Sequence, residues 1–153
     1  MWAFRHNNRR IMSGEAHLVH KWVGDKDAEG SIMIDTYIAK TGIVPSVIKI
    51  DVEGAEVSVL RGARECLVGI GPQLLIEVHP RLIVRYEPNG ISELGKFLSE
   101  ASYAIDLCVN HRGKHRGPVE PWRNVSIPEF IEHCGSILNA NGSNFAIHCY
   151  RSI

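Results

Sequence analysis

The chain has 153 residues, 44% apolar and 22% charged, with 17 basic residues balanced by 17 acidic ones. These values describe an ordinary globular protein of one domain, and the even balance removes the electrostatic case for nucleic acid or an anionic membrane as a partner. No apolar run approaches about 18 residues, and Met1 to Arg10 lacks the apolar segment of a signal peptide, so the cytoplasm is the expected compartment.

Residues 1–15 are polar and basic without either structural period, and are expected to form a poorly structured segment ahead of a domain at 16–153. Ala16 to Val23 alternates loosely and can form a strand, followed by a charged turn from Gly24 to Gly30. After Ser31 to Ile34, Asp35 is placed to cap a short helix through about Lys40, which Thr41 and Gly42 end. Val47, Ile48, Ile50 and Val52, interrupted only by Lys49, make the apolar run expected of a strand covered on both faces of a parallel sheet. Gly54 permits a close turn, after which Ala55, Val59, Leu60, Ala63 and Leu67 repeat at helical spacing to about Val68.

Gly69 to Pro72 is a stop signal, and Gln73 to Val78 forms a second buried strand carrying Glu77 near its end. Beyond a polar loop containing Glu87 to Gly90, an amphipathic helix from Ile91 to Ala101 turns Ile91, Leu94, Phe97 and Leu98 inward, with Ser92 available as a cap. Tyr103 to Val109 and Asn144 to Tyr150 read as further strands, and Asn110 to Gly142 as a lid or crossing loop with a short helix around Pro128 to Cys134. This order is the second half of a doubly wound α/β sheet. Cys66, Cys108, Cys134 and Cys149 have no paired spacing and read as buried free thiols.

The run VIKIDVEGAE from Val47 to Glu56, then VLRGA from Val59 to Ala63 and LLIEVHP from Leu74 to Pro80, resembles the FkbM family of S-adenosylmethionine-dependent methyltransferases. Ser31 to Ile38 resembles the segment that precedes this strand in the family, so the likeness runs from about Trp22 to Pro80. The resemblance implies a Rossmann-like class I methyltransferase fold with S-adenosylmethionine as cofactor and an antiparallel pair of strands at the carboxyl end. It also implies O-methylation of a small molecule or sugar. The family's glycine-rich strand end and its ribose-binding acid have no counterpart in this sequence. At about 30 residues for each strand-helix unit, roughly 60 to 90 residues of such a fold are unaccounted for on the N-terminal side. The expectation is a partial domain that binds S-adenosylmethionine weakly or not at all on its own. The competing expectation is a non-catalytic interaction module whose open strand edge at Val47 to Val52 takes a second copy or another partner.

Asp51, Glu53 and Glu56 gather at the carboxyl end of a strand and the first turn of a helix, where open α/β sheets place ligands. Asp51 suits the acceptor or the cofactor's ammonium group, with a helix cap as its plainer use. Glu53 and Glu56, three apart at a helix start whose dipole favours their ionised forms, suit a cation, a metal or the hydroxyls of an acceptor, with dipole-matching acids on a solvated turn as their plainer use. His79 follows the second strand, and as an imidazole it is the better candidate for general base. Glu77 is expected to pair with Lys49 across the sheet. His111 and His115 have a spacing that binds metal only on a helix, so the expectation is no metal there. With Arg112, Lys114 and Arg116 they form a basic loop that could hold an acidic acceptor. A carboxylate-based hydrolase using Asp51 finds no supporting motif.

Overall fold

The computed structural model describes residues 18–111, 118–140 and 144–151. The expectations for residues 1–15 and for Arg112, Lys114, His115 and Arg116 lie outside the described residues.

Among the described residues the first elements are a two-stranded parallel ribbon, β1 (Trp22–Val23) and β2 (Ser31–Ile32), that leads into α1 (Ile34–Thr41). Gly42 ends α1 in the left-handed conformation at φ 69° and returns its N–H to the Ile38 carbonyl, as the Thr-Gly signal predicts. Asp35 does not cap its own helix. Its two carboxylate oxygens accept from the backbone N–H groups of Glu65 and Cys66 at 2.9 and 2.8 Å, so it stitches α1 to the next layer.

The main sheet has the order β3-β4-β7-β5-β6, built from β3 (Val47–Ile50), β4 (Gln73–Val78), β5 (Ala104–Cys108), β6 (Arg123–Val125) and β7 (Phe145–Tyr150). β3 and β4 are parallel, and β7 enters antiparallel between β4 and β5. The antiparallel terminal pair is therefore as expected. The stretch read as a lid or crossing loop instead holds β6 and a 13-residue helix, α5 (Ile127–Asn139), opened by a reciprocal Ser126–Glu129 capping box.

Register explains which face is buried. Ile48, Leu74, Cys149, Ile105 and Val125 stand opposite one another in one row, and Ile50, Ile76, Ile147 and Leu107 in the next. Apart from the partly buried Ile48, these residues are buried. They meet the apolar faces of α2 (Glu56–Arg61), α3 (Pro80–Tyr86), α4 (Gly90–Glu100) and α5 in one continuous core.

The alternate row, Lys49, Leu75, His148, Asp106 and Asn124, is half-buried or exposed. This corrects the reading of the first strand. Among the described residues β3 is an edge strand with one covered face, and Val47 is 58% exposed. Its short apolar run cannot by itself distinguish that setting from a central one.

Two further differences are local. The helix expected from Gly54 to Val68 is broken: α2 ends at Arg61, and a π-helical turn at Cys66–Ile70 follows. At the break, any Cβ on Gly62 would run into the Gly24 carbonyl, so the glycine lets the β1–β2 ribbon approach the helix. Ser92 lies inside α4, whose N-cap is Asn89, and does not cap it. The inward face of that helix, Ile91, Leu94, Phe97 and Leu98, is as expected.

All four cysteines are free and buried. Burial pushes the Cys134 thiol up to about 12, so it stays a packed thiol. No helix among the described residues is long and apolar enough to cross a membrane.

Candidate active site at the sheet rim

The site is built where β3 and β4, running parallel, end side by side. Past β3 the chain turns through Glu53 at φ 47° and Gly54 at φ 108°. A side chain at Gly54 would strike Leu82 and Tyr86 of α3 at 2.7 and 2.9 Å, so glycine is required both by the backbone angle and by the close approach. Glu53 holds a left-handed conformation that costs a non-glycine residue free energy. This tight turn swings the chain back so that α2 begins beneath the end of β4, with Glu56 as its first residue.

Glu56 is fully buried, and its Oε1 lies 2.7 Å from His79 Nδ1. His79 is the N-cap residue of α3 and its imidazole is 12% exposed. Among the described residues Glu56 Oε2 has no hydrogen-bond partner. Burial pushes the Glu56 carboxyl above its ordinary value, against the pull of the His79 hydrogen bond. The dipole argument for an ionised, acceptor-binding Glu56 is thus outweighed by desolvation: α2 has only six residues.

The other side of the imidazole faces a second carboxylate. His79 Nε2 is 3.7 Å from Glu77 Oε1 and 3.5 Å from Asn144 Nδ2, and Asn144 Nδ2 donates to Glu77 Oε1. His111 Nε2 approaches Glu77 Oε2 at 3.4 Å. Asp51 stands just past β3 with its side chain 34% exposed and accepts from Lys49 Nζ at 3.0 Å. Ligand-type atoms of Asp51, Glu77 and His79 all lie within 4.8 Å of one another.

The structure therefore brings Asp51, Glu56 and His79 into one neighbourhood and adds Glu77, Asn144 and His111. It separates Glu53, which sits exposed on the turn; among the described residues no hydrogen bond ties it to Glu56. The expected Glu77–Lys49 pair is replaced: Lys49 turns to Asp51, two residues along the chain and just past its strand, and Glu77 is held from the β7 side. Asn144 carried no local signal. Its place follows from the antiparallel register that sets Val78 opposite Phe145, a pairing 67 residues apart in sequence. Asp51 is the most exposed member of the cluster, while a cavity of about 330 Å³ elsewhere is lined by Arg64, Asn89, Ser92, Glu93, Lys96, Phe97 and Glu100.

Residues 11–105 match the family model described as Methyltransferase FkbM domain. No curated protein and no solved structure matches the chain.

Proposed function

The chain belongs to the FkbM methyltransferase domain family, and on that premise we propose that it serves S-adenosylmethionine-dependent methyl transfer to an oxygen of a small molecule or sugar. The observation that carries the reading is the Glu56–His79 pair at the ends of two parallel strands. Open α/β sheets bind ligands at this edge. With Nδ1 engaged by Glu56, His79 presents Nε2 to the rim as the atom that takes the acceptor's hydroxyl proton.

S-adenosylmethionine supplies, when bound, a methyl group already activated on a sulfonium. Asp51 fits such a ligand, because its carboxylate is partly exposed at the strand end and suits an ammonium group or an acceptor hydroxyl. Glu56 acts through His79, as a positioning residue. The chain's own contribution is to hold the hydroxyl and receive its proton, since in-line placement supplies most of the help such a displacement needs.

Incubation of the full chain with S-adenosylmethionine labelled in its methyl group, against a panel of hydroxylated acceptors, tests this. Label is expected in an acceptor oxygen and to be lost in His79→Gln. Equal incorporation in that variant, or none into any acceptor, would overturn the assignment.

A second reading, a binding module that completes its sheet with another copy, is favoured by the one-sided pairing of β3 among the described residues and by exposed Ile43, Val44 and Val47 beside it. Sedimentation should then report a dimer that Val47→Lys dissociates; a monomer at all concentrations dismisses it.

A further inference from the structure

We propose that Asp51, Glu77 and His79 bind a divalent cation at the rim; what the cation does there rests on the methyl-transfer reading, while its binding does not. The three ligand atoms already lie within 4.8 Å of one another. Donors that share one ion at roughly 2.1 to 2.5 Å stand at such separations, so small side-chain adjustments close the shell.

Glu56 is the independent observation. A metal-bound imidazole is typically held through its other nitrogen by a carboxylate, which fixes the tautomer and raises the basicity of the ligating nitrogen. Glu56 Oε1 meets His79 Nδ1 at 2.7 Å from a fully buried position. With Glu56 ionised the Nδ1 proton faces it, and that tautomer turns the Nε2 lone pair toward Glu77 Oε1 at 3.7 Å.

Asn144 marks the point between them. Its Nδ2 rests against Glu77 Oε1 and 3.5 Å from His79 Nε2, so a donor bridges an anionic oxygen and an imidazole nitrogen where an ion would sit. Turning the amide over brings Oδ1 to the same place as a further oxygen ligand.

Two carboxylates, one imidazole and an amide oxygen form a mixed oxygen and nitrogen set that suits Mn²⁺ and related borderline-hard ions. Partly exposed Asp51 leaves the ion open to solvent, with positions free for an acceptor hydroxyl. A hydroxyl bound to a cation loses its proton more readily. The O–H bond would break with its proton passing to solvent, and the oxygen, keeping that electron pair, would form its bond to the methyl carbon as the carbon–sulfur bond of the sulfonium breaks and sulfur keeps the pair as a neutral thioether. His79 is then a ligand, whereas without the ion it takes the proton itself.

The test is titration of the full chain with Mn²⁺, with free ion read by electron paramagnetic resonance. One saturable site per chain is expected, weakened at least tenfold in Asp51→Asn and about 10-fold to 100-fold in Glu56→Gln. Selective broadening of the His79 ring protons by Mn²⁺ gives the same answer in the unaltered chain, whatever the folding of the variants. Absence of saturable binding up to millimolar ion, or no broadening at His79, overturns the proposal. Methyl transfer that persists in a chelator but fails in His79→Gln overturns the cation's part in the reaction and keeps the base. Saturable Mn²⁺ binding at His79 with no methyl transfer, with or without the ion, supports the site and overturns the methyl-transfer reading.

Discussion

Two clusters of carboxylates in this chain have opposite designs. At the first, Arg61 donates to Asp25, Glu87 and Glu93, with contacts of 2.8 Å to each, and so ties the β1–β2 ribbon, α2 and the start of α4 together. Its guanidinium is charged at every accessible pH, and those three partners raise its proton affinity further. At the second, the strand rim, Glu56 meets an imidazole, a group whose charge and tautomer can change. The guanidinium cluster holds its charge fixed in one arrangement. The imidazole cluster keeps a lone pair and a proton available, which is what a reacting or ligating site requires.

The largest expected effect lies at the rim. Replacing His79 by Gln should lower methyl transfer by about 100-fold to 10,000-fold, the usual contribution of a positioned proton acceptor, and should change the unfolding midpoint far less than it changes the rate. If stability falls as steeply as activity, the rim is structural and the contrast with Arg61 disappears.

Next comes Arg61→Ala. The side chain is 34% exposed, so solvent screening reduces what three ion pairs would contribute in a dry interior. A loss of about 2 kcal/mol in denaturant unfolding is expected, on the scale of hydrogen bonds to charged groups. Arg61→Lys should recover only part of it, because one ammonium cannot reproduce the planar fork. A change below about 0.5 kcal/mol would mean that the apolar core alone sets the position of the ribbon.

The pH responses of the two clusters should have opposite signs. Asp25 is held below its ordinary value, chiefly by the hydrogen bond from Arg61. Its contribution to stability is therefore present above the aspartate value of the unfolded chain and is lost as pH falls through the lowered folded value. Asp25→Asn should be less stable than the parent at neutral pH and should approach it on acidification. Parallel stability curves for the two proteins would show that Asp25 adds no pH-dependent term.

How much of this was legible in sequence follows from range. The passage from Val47 through the Gly54 turn into a helix, the Gly71 stop and the inward face of α4 are set by neighbours within a few residues, and periodicity finds them. The need for glycine at position 62 was hidden, because the group that crowds it is the Gly24 carbonyl, 38 positions away. The same holds for the rim. Asp51 and His79 stood out as strand-end polar residues, yet the roles of Glu56 and Glu77 depended on which side chains face them. Those partners come from a parallel crossover for Glu56 and His79, and from the β4–β7 register for Glu77 and Asn144. Neither pairing has a local pattern to announce it.

The smallest expected effect is the one that most sharpens the contrast. Burial raises the Glu56 carboxyl above its ordinary value, with the His79 hydrogen bond opposing. For an acid so shifted, the stabilising contribution is fully present below the unfolded glutamate value and is lost as pH rises through the raised folded value. Once ionised, the buried carboxylate thus weighs against the fold, the reverse of Asp25. Glu56→Gln has a similar shape and no charge to desolvate. Measured in chelator to keep metal out, its stability relative to the parent should increase as pH rises above the unfolded glutamate value. A variant that instead loses ground as pH rises would show that the ionised Glu56–His79 pair is itself a stabilising contact, and that the rim is held together in the same way as Arg61 and its three carboxylates.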